Sequence, residues 1–439
     1  VSAGGRSWRS RIASANPLPL RGRVTAVTGL VVEAVVPEAR LGEVVEVRRP
    51  GAEPLLAEVV GIRETRAILL PLGESTAIGL DADVLSLGRS LAVRVGEGLR
   101  GRVLDGLGRP IDGRPLPSGL EEWPVDAPAP SPLLRRRITR PLALGIRALD
   151  GLLTVGEGQR VGLFAGSGVG KSTLLGQIAR RARCDVAVVG LVGERGREVG
   201  EFVDDCLGAD GLARSVVVAA TSDAPALLRL KAAHVATAVA EWFASRGASV
   251  LLLLDSVTRY ARARREVGLA AGEPPARQGY PASVFQALPR LLERTGMRER
   301  GSITAIYTVL VAGGDLDEPI ADEVRGILDG HVVLDRGLAS AGRYPAIDVL
   351  QSVSRVMPAV THPDHRAAAA RLRELLAAYE RNRDLISLGA YRAGGDAATD
   401  AAIARMPAIE AFLRQEAAEP AAADGLGEVV ERLRAAVAG

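Results

Sequence analysis

Lysine occurs only twice in this 439-residue chain, against 53 arginines, and one of the two, Lys171, sits inside Ala165-Gly166-Ser167-Gly168-Val169-Gly170-Lys171-Ser172. A compact ammonium on a flexible stem slips between the β- and γ-phosphate oxygens of a nucleotide, where a planar guanidinium is too bulky. The strict phosphate-loop pattern has Gly at its first position, taken here by Ala165; Gly168 and Gly170, nearest the phosphates, are kept. Strand-like residues 160–164 precede the loop and a helical pattern over 172–180 follows, so backbone N–H groups and a helix N-terminus face the phosphates. Gly166, Ser167, Gly168, Val169, Gly170, Lys171, Ser172 and Thr173 are the expected cradle, with the Ser172 hydroxyl on Mg²⁺. The competing reading is a glycine-rich structural turn.

Two carboxylates extend this chemistry. The apolar run Ser249-Val250-Leu251-Leu252-Leu253-Leu254 ends in Asp255, and an acid at the carboxyl edge of a parallel strand orients Mg²⁺-bound water in a nucleotidase. Alone, Asp255 reads equally as the cap of a following helix; a phosphate loop 84 positions earlier strengthens the catalytic reading. Hydrolysis further requires a carboxylate that polarises the attacking water. Glu194 follows the apolar run 186–192 in Gly193-Glu194-Arg195-Gly196-Arg197-Glu198, so it is expected at the same sheet edge. The bland alternative is a surface carboxylate paired with Arg195 or Arg197. Arg195 is carried as a further catalytic candidate.

Positioning these groups requires a sheet. Apolar runs at 161–164, 186–192, 215–220, 249–254, 303–310 and 331–334 alternate with helical stretches such as 226–246, the pattern of a parallel α/β sheet covered on both faces. Before it, short β-branched runs with Gly and Pro punctuation between Arg21 and Leu91 predict a small β-barrel. A proline-rich connector over 109–141 follows, unsuited to helix or central strand. After Pro358 two helical faces, Leu372-Leu375-Leu376-Tyr379 and Leu426-Val429-Val430-Leu433, predict a helical bundle. The expected domains are an arm at 1–20, a barrel at 21–91, a nucleotide-binding domain at 92–358 and a helical domain at 359–439. Residues 1–15, with Trp8, Ile12 and three arginines, are either a surface-binding helix or a disordered end.

A formal net charge of +3 and 47% hydrophobic residues are ordinary for a globular protein and do not argue for nucleic acid. Cys184 and Cys206 lack metal-ligand spacing and read as small core residues of a reducing compartment. No apolar run approaches the roughly 18–20 residues that span a bilayer, and the N-terminus has no apolar signal core. The run Arg135-Arg136-Arg137 has no interleaved aromatics and is expected to be a solvated strip. His362 and His365 are separated by Pro363 and have no third ligand nearby.

The longer motifs resemble a known family. Asp255-Ser256-Val257-Thr258-Arg259, Arg265-Glu266-Val267-Gly268-Leu269-Ala270-Ala271-Gly272-Glu273-Pro274-Pro275, Gly279-Tyr280-Pro281-Ala282-Ser283-Val284-Phe285, Glu318-Pro319-Ile320-Ala321-Asp322 and Tyr344-Pro345-Ala346-Ile347-Asp348 are similar to those of the type III secretion export ATPases, flagellar and injectisome. These are homologues of the rotary ATPase catalytic subunit, and the resemblance runs from about residue 20 to 415. It implies a RecA-like P-loop core with ATP and Mg²⁺ as cofactors, Glu194 activating water, and Lys171, Ser172 and Asp255 on phosphate and metal. It also implies roles invisible to spacing: Tyr344 stacking on adenine, and Arg355 as an arginine finger inserted into a neighbouring subunit's site.

The implied assembly is a homohexamer with sites at subunit interfaces, cytoplasmic and peripheral to the inner membrane. Its implied partners are chaperone–substrate complexes, a stalk and regulators, with no nucleic acid. Other readings are a rotary ATPase catalytic subunit, a ring-shaped nucleic-acid translocase and a non-hydrolysing nucleotide-binding scaffold. The last should lack the water-activating acid.

Overall fold

The computed structural model describes residues 20–423 and 425–438; the arm at 1–20, except Leu20, and the surface-helix reading of 1–15 lie outside the described residues. The described chain forms two compact units, 20–91 with Val267–Glu273, and 92–266 with 274–438.

The first unit contains the expected closed barrel: β1 (Arg21–Thr28), β2 (Val31–Val35), β3 (Glu43–Val47), β4 (Leu55–Arg63), β5 (Arg66–Pro71) and β6 (Asp83–Ser90), in the order β1-β2-β5-β4-β3-β6. Val32 and Ala34 of β2, Val45 and Val47 of β3 and Ala57 and Val59 of β4 point into one core, with strict alternation in β2. The apolar pattern does not announce β6, because only Val84 of that strand enters the core.

In the second unit β7 (Arg102–Leu104), β8 (Arg160–Ala165), β9 (Val186–Glu194), β10 (Ser215–Thr221), β11 (Ser249–Asp255), β12 (Ser302–Leu310), β13 (Gly330–Leu334) and β14 (Ile347–Ser354) lie in the order β14-β13-β8-β12-β11-β9-β10-β7. Neighbours pair in parallel except β14, which runs antiparallel to β13. Every residue of β9 is buried, as a strand covered on both faces requires. One cover is α2 (Ala226–Ser245), packed on β9, β10 and β11. Its alanines present little bulk, and its long side chains are absorbed by pairing: Lys231 Nζ bonds Asp126 at 2.8 Å. This second lysine ties the proline-rich connector to the core. Arg294 pairs with Glu241 through two hydrogen bonds, at 3.0 and 2.7 Å, and donates to Val125 O, so the same connector is fastened twice.

Arg136 and Arg137 of the arginine strip are exposed as expected, while Arg135 departs from that reading. Arg135 is half-buried and its guanidinium reaches the carbonyls of Thr295 and Glu293, while Arg136 reaches those of Arg298 and Gly301. Guanidiniums offer five donors, and here they bond carbonyls of the segment 293–301 that leads into β12. The C-terminal helices α4 (Pro363–Arg381), α5 (Ala397–Leu413) and α6 (Leu426–Val437) pack on one another. Leu372, Leu375, Leu376, Val429 and Leu433 are buried there, Tyr379 partly so. His365 Nε2 meets the Gly151 carbonyl at 2.7 Å.

Candidate active site

The phosphate loop leaves β8 at Ala165 and enters helix α1 (Lys171–Arg181). Val169 is buried and pins the loop from beneath, leaving Ser167 and Gly168 exposed above. Gly170 caps α1 at φ +85°, and a Cβ there would meet the Tyr344 ring at 3.2 Å. Only glycine combines that backbone with that neighbour. Ser172 and Thr173 follow on the exposed side of the first turn.

Three charged groups converge at the carboxyl rim of the sheet. Lys171 Nζ donates to Asp255 Oδ1 and lies 3.6 Å from Glu194 Oε1. Asp255 ends β11 and Glu194 ends β9, adjacent parallel strands, so chain direction alone brings both acids to one edge. Between β11 and the phosphate-loop strand runs β12, and its Thr308 hydroxyl donates to Asp255 Oδ1 at 2.6 Å, fixing the carboxylate's rotamer.

Glu194 is buried beside another acid, and its carboxyl is pushed up to about 7. Burial is the largest cause and the Asp255 charge the next; Lys171 and Arg259 oppose them. The contact with Glu198 also favours the protonated form of Glu194 and holds Glu198 below the usual carboxylate range. A carboxyl poised near neutrality is what a general base at physiological pH requires. Arg259, in the first turn of helix α3 (Val257–Ala270), grips it: Nη2 donates to Glu194 Oε2 at 2.9 Å and Nη1 to the Gly193 carbonyl. Arg259 was unreadable as one arginine among 53, and Thr308 carried only the faint signal of a hydroxyl inside an apolar strand.

Beside the loop opens a cavity of about 600 Å³ lined by Gly170, Thr173, Gln177, Tyr344, Pro345 and Gln415, among others. Tyr344 is 46% exposed, a wide face for a planar ligand. The far wall, residues 414–417, follows α5 and is held in place by Gln415, whose N–H donates to the Tyr344 carbonyl at 2.9 Å. Nothing in the sequence placed that segment at the loop.

Two candidates stand apart from this cluster. Arg195 is 74% exposed and bonds Glu198 at 3.1 Å. Arg355 is exposed at the opposite rim. Strand register shows why: Leu334 of β13 aligns with Ala165 and with Ile347 of β14, whereas Gly330 aligns with Ser354. Tyr344 therefore precedes β14 at the loop end, and Arg355 follows it at the other end. Eight strand residues separate the two by roughly 25 Å.

Comparison with known proteins agrees with this architecture. The ATP synthase alpha/beta family matches over residues 24–88 for its beta-barrel domain and 145–354 for its nucleotide-binding domain; the T3SS EscN ATPase C-terminal domain matches residues 361–434. A flagellum-specific ATP synthase of Bacillus subtilis is 52% identical over 402 residues, covering 91% of this chain and 92% of that protein. A type 3 secretion system ATPase of Xanthomonas euvesicatoria is 55% identical, covering 90% and 89% respectively. The assembled ATPase EscN of enteropathogenic E. coli superposes with a TM-score of 0.89 at 46% identity, covering 95% of this chain and 100% of that one.

Proposed function

This chain belongs to the ATP synthase alpha/beta family and, within it, to the flagellum-specific and type 3 secretion ATPases; it is an ATPase of type III protein export, and we propose that its catalytic sites are completed between subunits of a homohexamer. The observation that carries this reading is the convergence of Lys171, Asp255 and Glu194 at one rim, with Arg355 on the same molecule beyond the opposite end of the sheet's last strand. A finger in that position serves a neighbour's site, where such arginines raise rates by about 10³ to 10⁵.

In this mechanism Lys171 and the N–H groups of 166–171 hold the β- and γ-phosphates, and Tyr344 stacks on the base. No cluster of three or more acid, His or Cys ligands occurs among the described residues. Ser172 on the first turn of α1 and Asp255 at the rim are the residues that would hold Mg²⁺ with the nucleotide phosphates. Bound there, Mg²⁺ would neutralise phosphate charge. Glu194 orients and polarises the attacking water, Arg259 keeps its carboxylate aimed, and Thr308 does the same for Asp255. Arg195 sits beside Glu198 as an auxiliary cation for the departing phosphate.

The domain at 359–439 is the proposed output end, since its family match is specific to secretion ATPases and argues against a rotary catalytic subunit. EscN has been solved in complex with its central stalk EscO, and a superposition at a TM-score of 0.88 supports a stalk partner here. Chaperone–substrate complexes and export regulators complete the proposed partners, with ATP turnover releasing and unfolding substrates. No helix of the described residues is long and apolar enough to cross a membrane; a peripheral position on the cytoplasmic face of the inner membrane is part of the proposal.

The deciding experiment is Glu194→Gln. Mg-ATP binding should persist while phosphate release falls by about 10³-fold, the scale of a lost general base. Unchanged turnover would remove Glu194 from the mechanism; loss of binding as well would make it a structural residue.

A further inference from the structure

Among the polar side chains that line the cavity beside the phosphate loop, one has a buried polar atom without a partner and no part in the mechanism above. Gln177 lies on α1, four residues after Thr173 and hence on the same helix face. It is only 4% exposed, it lines the cavity with Tyr344, and its Oε1 is buried with no hydrogen-bond partner among the described residues. A buried amide oxygen without a partner carries a desolvation penalty that no contact of this fold offsets.

The second amide lining the cavity behaves oppositely. Gln415 donates through Nε2 to the Gly145 carbonyl at 3.1 Å and accepts the Arg147 N–H on Oε1 at 2.8 Å. Both of its ends are consumed in building the wall. Gln177 is the amide that remains for a ligand.

We infer that Gln177 reads the edge of the base and sets a preference for adenine over guanine; the inference rests on the Tyr344 cavity being the base pocket. Stacking on Tyr344 accepts any base, because every base has a π-face. Discrimination then needs a directional polar group. An amide presents one donor and one acceptor side by side. The N6–N7 edge of adenine presents the complement, an amino donor beside a ring acceptor, whereas guanine presents two acceptors there. Against guanine one end of the Gln177 amide stays buried and unpaired, which is how a site built for a hydrogen bond rejects a ligand lacking it.

The test compares ATP, GTP and purine riboside 5′-triphosphate, which lacks the N6 amino group, on the full chain with Mg²⁺. In Gln177→Met, of similar length with no hydrogen-bonding end, KM for ATP should rise about 10-fold or more, as expected for the loss of both ligand hydrogen bonds. KM for GTP should change less than twofold and kcat should hold. The unsubstituted protein should bind purine riboside triphosphate more weakly than ATP but by less than that factor, because the N7 contact remains, and Gln177→Met should bind the two alike. If Gln177→Met does not fold, the comparison on the unsubstituted protein decides alone. Equal loss for ATP and GTP, or equal affinity of the unsubstituted protein for ATP and purine riboside triphosphate, overturns the inference. If Tyr344→Leu leaves KM untouched for every nucleotide, the base-pocket reading itself fails, and the inference with it.

Discussion

The two rims of the central sheet differ in how their charges are kept. At the carboxyl rim Lys171, Asp255, Glu194 and Arg259 neutralise one another inside a largely buried cluster. At the amino rim Arg355 is exposed, and its side chain reaches the Leu328 carbonyl at 3.4 Å, a long contact for so strong a donor. By contrast, Arg160 at the same rim is committed to Asp329 and Glu293. One rim is arranged to receive a polyanion, the other to supply a cation. In the proposed ring, a molecule that carries both halves on opposite edges completes neither alone, and neighbouring copies complete them for one another.

The most severe way to break that comparison is to remove the supplied cation. Arg355→Ala should lower turnover per subunit by about 10³-fold with nucleotide binding intact, the scale of an in-trans finger. Mixing it with Glu194→Gln should restore activity, because some interfaces of a mixed ring would pair an intact Glu194 with an intact Arg355. Mixtures no more active than their components, under conditions where subunits exchange, would mean that the two residues serve one and the same subunit.

The acidic rim is sharpened by pH. Glu194 must be ionised to polarise water and its carboxyl is raised to about 7, so kcat/KM for ATP should fall about tenfold per pH unit below that point and level off above it. The Arg259 cation favours the ionised form; Arg259→Met should therefore move the inflection to higher pH, and Arg259→Lys should move it part of the way back. A profile indifferent to Arg259 would detach that residue from the carboxylate.

The smallest effect belongs to the base pocket. Tyr344→Leu should raise KM for ATP about tenfold, the lower range of base–aromatic stacking, while kcat stays within twofold and Tyr344→Phe stays near the parent. A fall in kcat instead would tie Tyr344 to turnover, blurring the separation between a rim that binds and a rim that activates.

The phosphate loop was legible because its chemistry is local: eight consecutive residues contain the glycine torsions, the lysine and the helix start. Asp255 and Glu194 were nearly as legible, since each ends an apolar run and parallel strands deliver their ends to one edge. Tyr344 and Arg355 are only eleven positions apart, and no local pattern separates their destinations. Family likeness suggested their roles, but their places depend on β14 being the antiparallel edge strand, a matter of long-range pairing. Thr308, Arg259, Gln177 and the 414–417 wall were hidden for the same reason. Local torsions and hydrophobic period are written along the chain; which strand lies beside which, and in which direction, emerges only when distant segments pack, and that arrangement put the phosphate loop and Arg355 on opposite rims of one sheet, as the proposed shared site requires.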